Sequence, residues 1–138
     1  MTYISTTLSS LRRQITKFEY PNQQFLSLIQ SCKSMNELKQ IHAQIIRSDH
    51  LSNTFLATKL LEFCAISTRN NIDYALRVFC QIDKPNDYTW TTMIRSFVNI
   101  KHPKKAIEFY SLMISQGVEA NKFTFIFVLK AYSLIPSF

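Results

Sequence analysis

Apolar residues recur with helical spacing in the second half of the chain. Trp90, Met93, Ile94, Phe97 and Val98 stand at i, i+3, i+4, i+7 and i+8 and lay one wide stripe along an amphipathic helix. The pattern breaks from Asn99 to His102. Pro103 follows at a first helical position, which tolerates proline because its missing N–H would be unpaired there anyway. Ala106, Ile107, Phe109, Tyr110 and Met113 form the apolar side of a second helix, and Gly117, the single glycine of the chain, stands where a helix end favours positive φ. The spacing therefore predicts that Asp87 to Asn121 is one unit of helix, turn, helix and short tail.

The same stripe returns along the chain. Phe25, Leu28, Ile29 and Cys32 repeat it, as do Ala57, Leu60, Leu61, Cys64 and Ala65, and again Phe125, Val128, Leu129 and Tyr132. In the second helices Ile41, His42 and Ile45 line up with Val78, Phe79 and Ile82, and these with Phe109, Tyr110 and Met113. Ser34 and Glu37 have capping-box spacing, and Asn71 suits the N-cap of the helix that carries Ala75. From Ile29 to Leu61, Ile94 and Leu129 the steps are 32, 33 and 35 residues. A period in the low thirties with two helices per unit predicts an all-α fold, an α-solenoid of helix-turn-helix repeats. One unit buries too few side chains to offset the entropy of ordering its backbone, so about three stacked units are a minimum. Three pairs are present, followed by one helix, Phe123 to Leu134, with Ile135 and Pro136 after it and no partner helix. The array is expected to be truncated.

Composition adds limits. The chain has 138 residues, 46% of them hydrophobic, and its three cysteines include no C-x-x-C pair, which fits reduced thiols in a helical core. No apolar run reaches the ~18 residues of a membrane span, so no membrane partner is expected. The formal charge is +7, a balance that favours a polyanionic partner. Arg12, Arg13 and Lys17 supply part of it. Residues 1–19 are rich in Ser and Thr and carry no acid before Glu19, the composition of an organelle transit peptide or of a disordered basic tail.

Phosphate-cradling glycine loops, G-x-S-x-G and H-E-x-x-H are all missing, and His42, His50 and His102 do not group with cysteines at metal-ligand spacing. No enzyme activity, cofactor or metal is expected. His42 shares its register with Phe79 and Tyr110 and reads as a packing residue. Cys32 and Cys64 share one repeat position and read as small core residues.

Over residues 22 to 138 the chain resembles the pentatricopeptide repeat proteins of plant organelles, in particular the PLS subclass with repeats of alternating length. The resemblance is carried by NELKQIHAQIIRSDHLSN, NIDYALRVFCQIDKPN, DYTWTTMIRSF and KKAIEFYSLMISQGVEANKFTFIFVLKAYS. It divides residues 20–138 into a long-type repeat at 22–53, a short-type repeat at 54–86, a standard repeat at 87–121 and a partial one at 122–138. A tetratricopeptide array has a similar period, but its W-x-x-L-G-x-x-Y pattern is absent. The resemblance implies a right-handed superhelix of tetratricopeptide-like build that binds single-stranded RNA, one base per repeat. It also implies residence in a mitochondrion or chloroplast and a non-catalytic part in C-to-U editing or RNA processing. The zinc-deaminase signature carried by some relatives is missing, so editing or processing factors would supply catalysis in trans.

Carried over by position, the implied base-specifying pairs are Thr58 with Asn86 and Thr91 with Asn121, a Thr/Asn combination associated with adenine. The first repeat departs from this with Leu26 and Asn53, and Ile126 occupies the position in the last. The implied base-stacking residues are Phe55, Tyr88 and Phe123, with Gln23 at that place in the first repeat. The other readings of the chain are a tetratricopeptide-like protein-binding scaffold and a nonfunctional truncated remnant.

Overall fold

A computed structural model describes residues 23–48, 53–66 and 71–136. The segment read as a transit peptide lies outside the described residues. Those that are described form helices and no strands: α1 (23–31), α2 (Met35–Arg47), α3 (Thr54–Ile66), α4 (Ile72–Gln81), α5 (Asp87–Asn99), α6 (Pro103–Ser115) and α7 (Lys122–Leu134). The chain falls into two compact units, Met1–His50 and Leu51–Phe138.

In the first unit, Ile29 of α1 and Leu38, Ile41, His42 and Ile45 of α2 are buried. The α2 positions recur at the three- and four-residue steps of one helix face, as the stripe predicts. Ser34 caps α2 by accepting from the Glu37 N–H at 3.2 Å. The predicted capping box is only half made, because the Glu37 carboxylate accepts from the Lys33 N–H at 2.9 Å rather than from Ser34. Cys32 lies beyond the end of α1, half-buried, with its thiol donating to the Ser34 carbonyl, and so is not the core residue the pattern suggested.

In the second unit α3, α5 and α7 form one layer, α3 against α5 and α5 against α7. Helix α4 packs behind α3, and α6 packs on both α5 and α7. Burial follows from this. Helix α3 hides Leu56, Ala57, Thr58, Leu60, Leu61, Cys64 and Ala65, and α5 hides every residue from Thr89 to Val98 except Arg95. A helix buried on nearly all sides needs neighbours on nearly all sides, and among the described residues α5 packs chiefly against α3, α6 and α7. Behind it the core is aromatic. Phe109 of α6 meets Phe79, Trp90 and Phe97 with ring centroids 5.5, 6.0 and 5.0 Å away, and Phe79 meets Trp90 edge-on at 4.8 Å. Such pairs add ~0.5–1.5 kcal/mol each beyond the area they bury.

Helix ends are set by residue chemistry. Pro103 opens α6, Asn71 caps α4 through the Tyr74 N–H, and Gly117 adopts φ +78° after α6. There the Val118 N–H reaches the Met113 carbonyl and the Gly117 N–H reaches Ile114, which is a Schellman closure. Helix α5 closes in the same way, His102 to Phe97 and Lys101 to Val98, but with Lys101 at φ +63° in the glycine position. Two expectations shift. Ile82, aligned with the second-helix stripe, is buried but stands outside α4 as its extended C-cap. Along α7, of the residues read as the stripe only Val128 is buried. Phe125, Leu129 and Tyr132 are exposed, because the described residues place no further helix over the side that α6 covers on α5.

Candidate functional site

All seven singled-out residues lie on the α3–α5–α7 layer or on the N-caps that start its helices. The repeat places them there. Each of α3, α5 and α7 begins after an asparagine and has an aromatic at its second position, with a threonine at the fifth in α3 and α5. Asparagine is a strong N-cap because its side-chain oxygen satisfies the N–H groups that open a helix.

At the α5–α7 seam, Asn121 Oδ1 accepts from the Phe123 and Thr124 N–H groups at 2.9 and 3.0 Å and from the Thr124 hydroxyl at 3.1 Å. The Thr124 oxygen in turn accepts from the Asn121 N–H at 3.1 Å, completing a reciprocal capping box that the sequence reading did not identify. Thr91 Oγ1 lies 2.7 Å from Thr124 Oγ1. Asn121 Nδ2 donates to Asp87 Oδ2 at 2.9 Å. The implied pair Thr91 and Asn121 is thus brought together through Thr124.

At the α3–α5 seam the arrangement recurs. Asn86 Oδ1 accepts from the Thr89 N–H at 3.0 Å and from its hydroxyl at 2.9 Å, and Thr58 Oγ1 lies 2.9 Å from Thr89 Oγ1. Three differences separate the seams. Thr58 also donates to the Thr54 carbonyl at 2.6 Å, and the first helical position is Thr54 where α5 has Asp87. Thr58 is completely buried, whereas Thr91 retains 6% exposure.

The aromatics differ as well. Phe55 and Phe123 are more than half exposed and Tyr88 is 38% exposed, so each ring offers a face to solvent rather than to the core. Lys59 occupies the space beside Phe55 and Tyr88. Its Nζ lies 5.3 and 5.5 Å from the two ring centroids, donates to the Tyr88 hydroxyl at 3.3 Å and pairs with Glu62 at 3.1 Å. At the next seam Thr92 takes the place of that lysine, bonded to the Tyr88 carbonyl. A cavity of about 250 Å³ opens there, lined by Tyr88, Thr91, Thr92, Arg95, Asn121, Phe123, Phe127 and Glu62. Arg95 reaches over the Phe127 ring at 5.8 Å and puts a cation at its edge. A flat ring entering this cavity would find three aromatic rings, an amide, two hydroxyls, a guanidinium and the Glu62 carboxylate, a set that includes the donors, acceptors and stacking faces of a nucleobase site.

Sequence reasoning missed Thr89, Thr124, Asp87, Arg95 and Lys59. The signal for the two threonines is present: Asn86-Asp87-Tyr88-Thr89 and Asn121-Lys122-Phe123-Thr124 share one pattern, which Asn53-Thr54-Phe55-Leu56 breaks. Among the described residues no group of three or more His, Cys, Asp or Glu side chains is arranged to hold a metal ion.

A family model described as the PPR repeat family matches residues 85–133, which span α5, α6 and nearly all of α7. The chain is 39% identical over 109 residues to a pentatricopeptide repeat-containing protein of Arabidopsis thaliana, an alignment covering 78% of this chain and 19% of the relative. It is 37% identical over 118 residues to a second such Arabidopsis protein, whose name adds "chloroplastic", with 85% of this chain and 16% of that one covered. A third Arabidopsis pentatricopeptide repeat-containing protein is 39% identical over 108 residues, 75% of this chain and 17% of its own length. The chain thus spans under a fifth of the length of each of these relatives.

Proposed function

This chain belongs to the pentatricopeptide repeat family, and from that premise we propose that it binds single-stranded RNA along the α3–α5–α7 layer. In this reading Tyr88, Phe123 and Phe55 stack on bases, Thr91 with Asn121 contacts a base edge, and at the α3–α5 seam Asn86 faces the base with the buried Thr58 behind it. The observation that carries it is the cavity at the α5–α7 seam, where two exposed rings flank a hydroxyl and an amide. Stacking on an exposed aromatic contributes ~1–3 kcal/mol per base whatever its identity, and the edge contacts add the choice of base. Arg95 and the net charge of +7 supply attraction to phosphate. The protein is non-catalytic and acts in a mitochondrion or chloroplast, directed there by residues 1–19. It marks a transcript for C-to-U editing or another processing step whose chemistry a partner performs.

The test is a mobility shift of the full chain on short single-stranded RNAs with and without an AA core, beside the matching duplex. Binding is expected to the single strand and to weaken steeply with salt. Tyr88→Ala is expected to lower affinity for every sequence by roughly 5- to 150-fold, the equivalent of one stacked base. Thr91→Ala and Asn121→Ala are expected to lower mainly the preference for the AA core. If no RNA binds even at low salt, the reading is wrong.

A further inference from the structure

We infer that Thr124 and Asp87 set the hydrogen-bond polarity of the Thr91/Asn121 site, making Asn121 its donor and Thr91 its acceptor. The inference rests on the RNA reading above and deepens it.

Counting protons gives the direction. Two oxygen–oxygen contacts join Thr91 to Thr124 and Thr124 to Asn121 Oδ1, and the two hydroxyls bring two protons. A carbonyl oxygen only accepts, so Thr124 donates to Asn121, and its single proton is spent. Thr91 must then donate to Thr124, which leaves the Thr91 oxygen with lone pairs alone for anything in the cavity. The amide is fixed from both ends. Its oxygen is saturated by three donors, and its nitrogen is held by the Asp87 carboxylate, which leaves one N–H to offer. A donor beside an acceptor complements an adenine edge, whose N6 amine donates next to a ring nitrogen that accepts. Guanine has an acceptor, O6, where adenine has the amine, and two acceptor lone pairs would then face each other.

The α3–α5 seam shows what these residues add. There three oxygen–oxygen contacts, Thr58 to the Thr54 carbonyl, Thr58 to Thr89 and Thr89 to Asn86, share two protons. One contact always lacks a proton, so the chain of hydroxyls has no unique direction. Thr54 offers no carboxylate to orient Asn86, Thr58 is wholly buried and Lys59 stands between the rings. Sequence choice is therefore concentrated at the α5–α7 seam, and Thr124 and Asp87 act as positioning residues for it.

The experiment measures fluorescence anisotropy of the full chain on a labelled single-stranded RNA with an AA core, and on versions in which each A in turn is replaced by G or by purine riboside, which lacks the amine. Wild type is expected to lose on the order of tenfold in affinity on substitution at one of the two positions. Thr124→Val, which keeps the shape and removes the hydroxyl, is expected to shrink the ratio against G to about twofold or less, because the freed Thr91 hydroxyl can then donate to guanine O6 and binding of the G-substituted RNA rises. Thr124→Ser is expected to restore it. Asp87→Ala is expected to shrink the ratio too, and Asp87→Asn, which keeps an accepting oxygen, to preserve it. Asp87 lies on a half-exposed helix start, so its variants test the inference even if Thr124→Val unfolds by circular dichroism. Retention of the ratio in both Thr124→Val and Asp87→Ala overturns the inference and leaves the RNA reading standing. Loss in one variant only confines the role to that residue. No discrimination by wild type sinks the Thr91/Asn121 reading and this inference together.

Discussion

Trp90 shows how one side chain is placed by packing rather than by its polar atom. Its ring meets Phe79 and Phe109, and its Nε1–H is buried with no hydrogen-bond partner among the described residues. An unpaired buried donor costs ~1–3 kcal/mol, a burden a phenylalanine would not carry. Trp90→Phe is accordingly expected to remain within ~1 kcal/mol of wild type, whereas Trp90→Ala should lose ~3–5 kcal/mol, read from urea unfolding midpoints. Equal losses in the two variants would show that the indole nitrogen matters more than the ring. At this scale the sequence was only partly legible. The ends of each hydrogen-bond chain, Thr91 and Asn121 or Thr58 and Asn86, stand at recurring places. The threonine between them reads locally as a helix-cap residue, and the partner of its hydroxyl lies 31 or 33 residues earlier, a separation no local spacing encodes. Asp87 likewise reads as an acid favouring a helix start. Its bond to Asn121 appears only when α5 and α7 are side by side.

The helices themselves were legible because each boundary has a local cause. Pro103, Asn71 and Gly117 stand where the spacing predicts, and the limits of α5 and α6 follow within a residue or two. What escaped was the left-handed Lys101, since nothing in a lysine announces positive φ. The two Schellman closures form a natural pair of tests. Gly117→Ala meets no atom within 4 Å but forces an alanine to φ +78°, and should cost ~1–2 kcal/mol. Lys101→Gly relieves the same strain while loosening the unfolded chain, for a net gain of up to ~1 kcal/mol. Melting temperatures are expected to move in opposite directions, and a loss of stability from Lys101→Gly would mean the lysine makes contacts that outweigh its backbone strain.

Across the second unit, stability should be graded. Helix α5 is covered by α3, α6 and α7, while α7 leaves Phe125, Ile126, Leu129 and Tyr132 open. Amide hydrogen exchange is expected to be slowest in α5 and faster in α7 through local opening, and equally slow exchange in the two would contradict the packing order. The layered build was legible from periodicity, since stripes on successive helices have to meet. The uneven outer face of α7 was not, because a stripe states what a helix can bury and not whether a neighbour arrives. On the proposed RNA reading the layer also has a mechanical consequence for a bound strand. Helices packed side by side stand ~8–10 Å apart, whereas consecutive stacked bases rise only ~3.4 Å. Two adjacent nucleotides engaged at the α3–α5 and α5–α7 seams must therefore part, with the Tyr88 ring entering the gap between them. On that reading the strand is drawn out well past stacked spacing, so a hairpin offered to the layer would have to melt before it could dock.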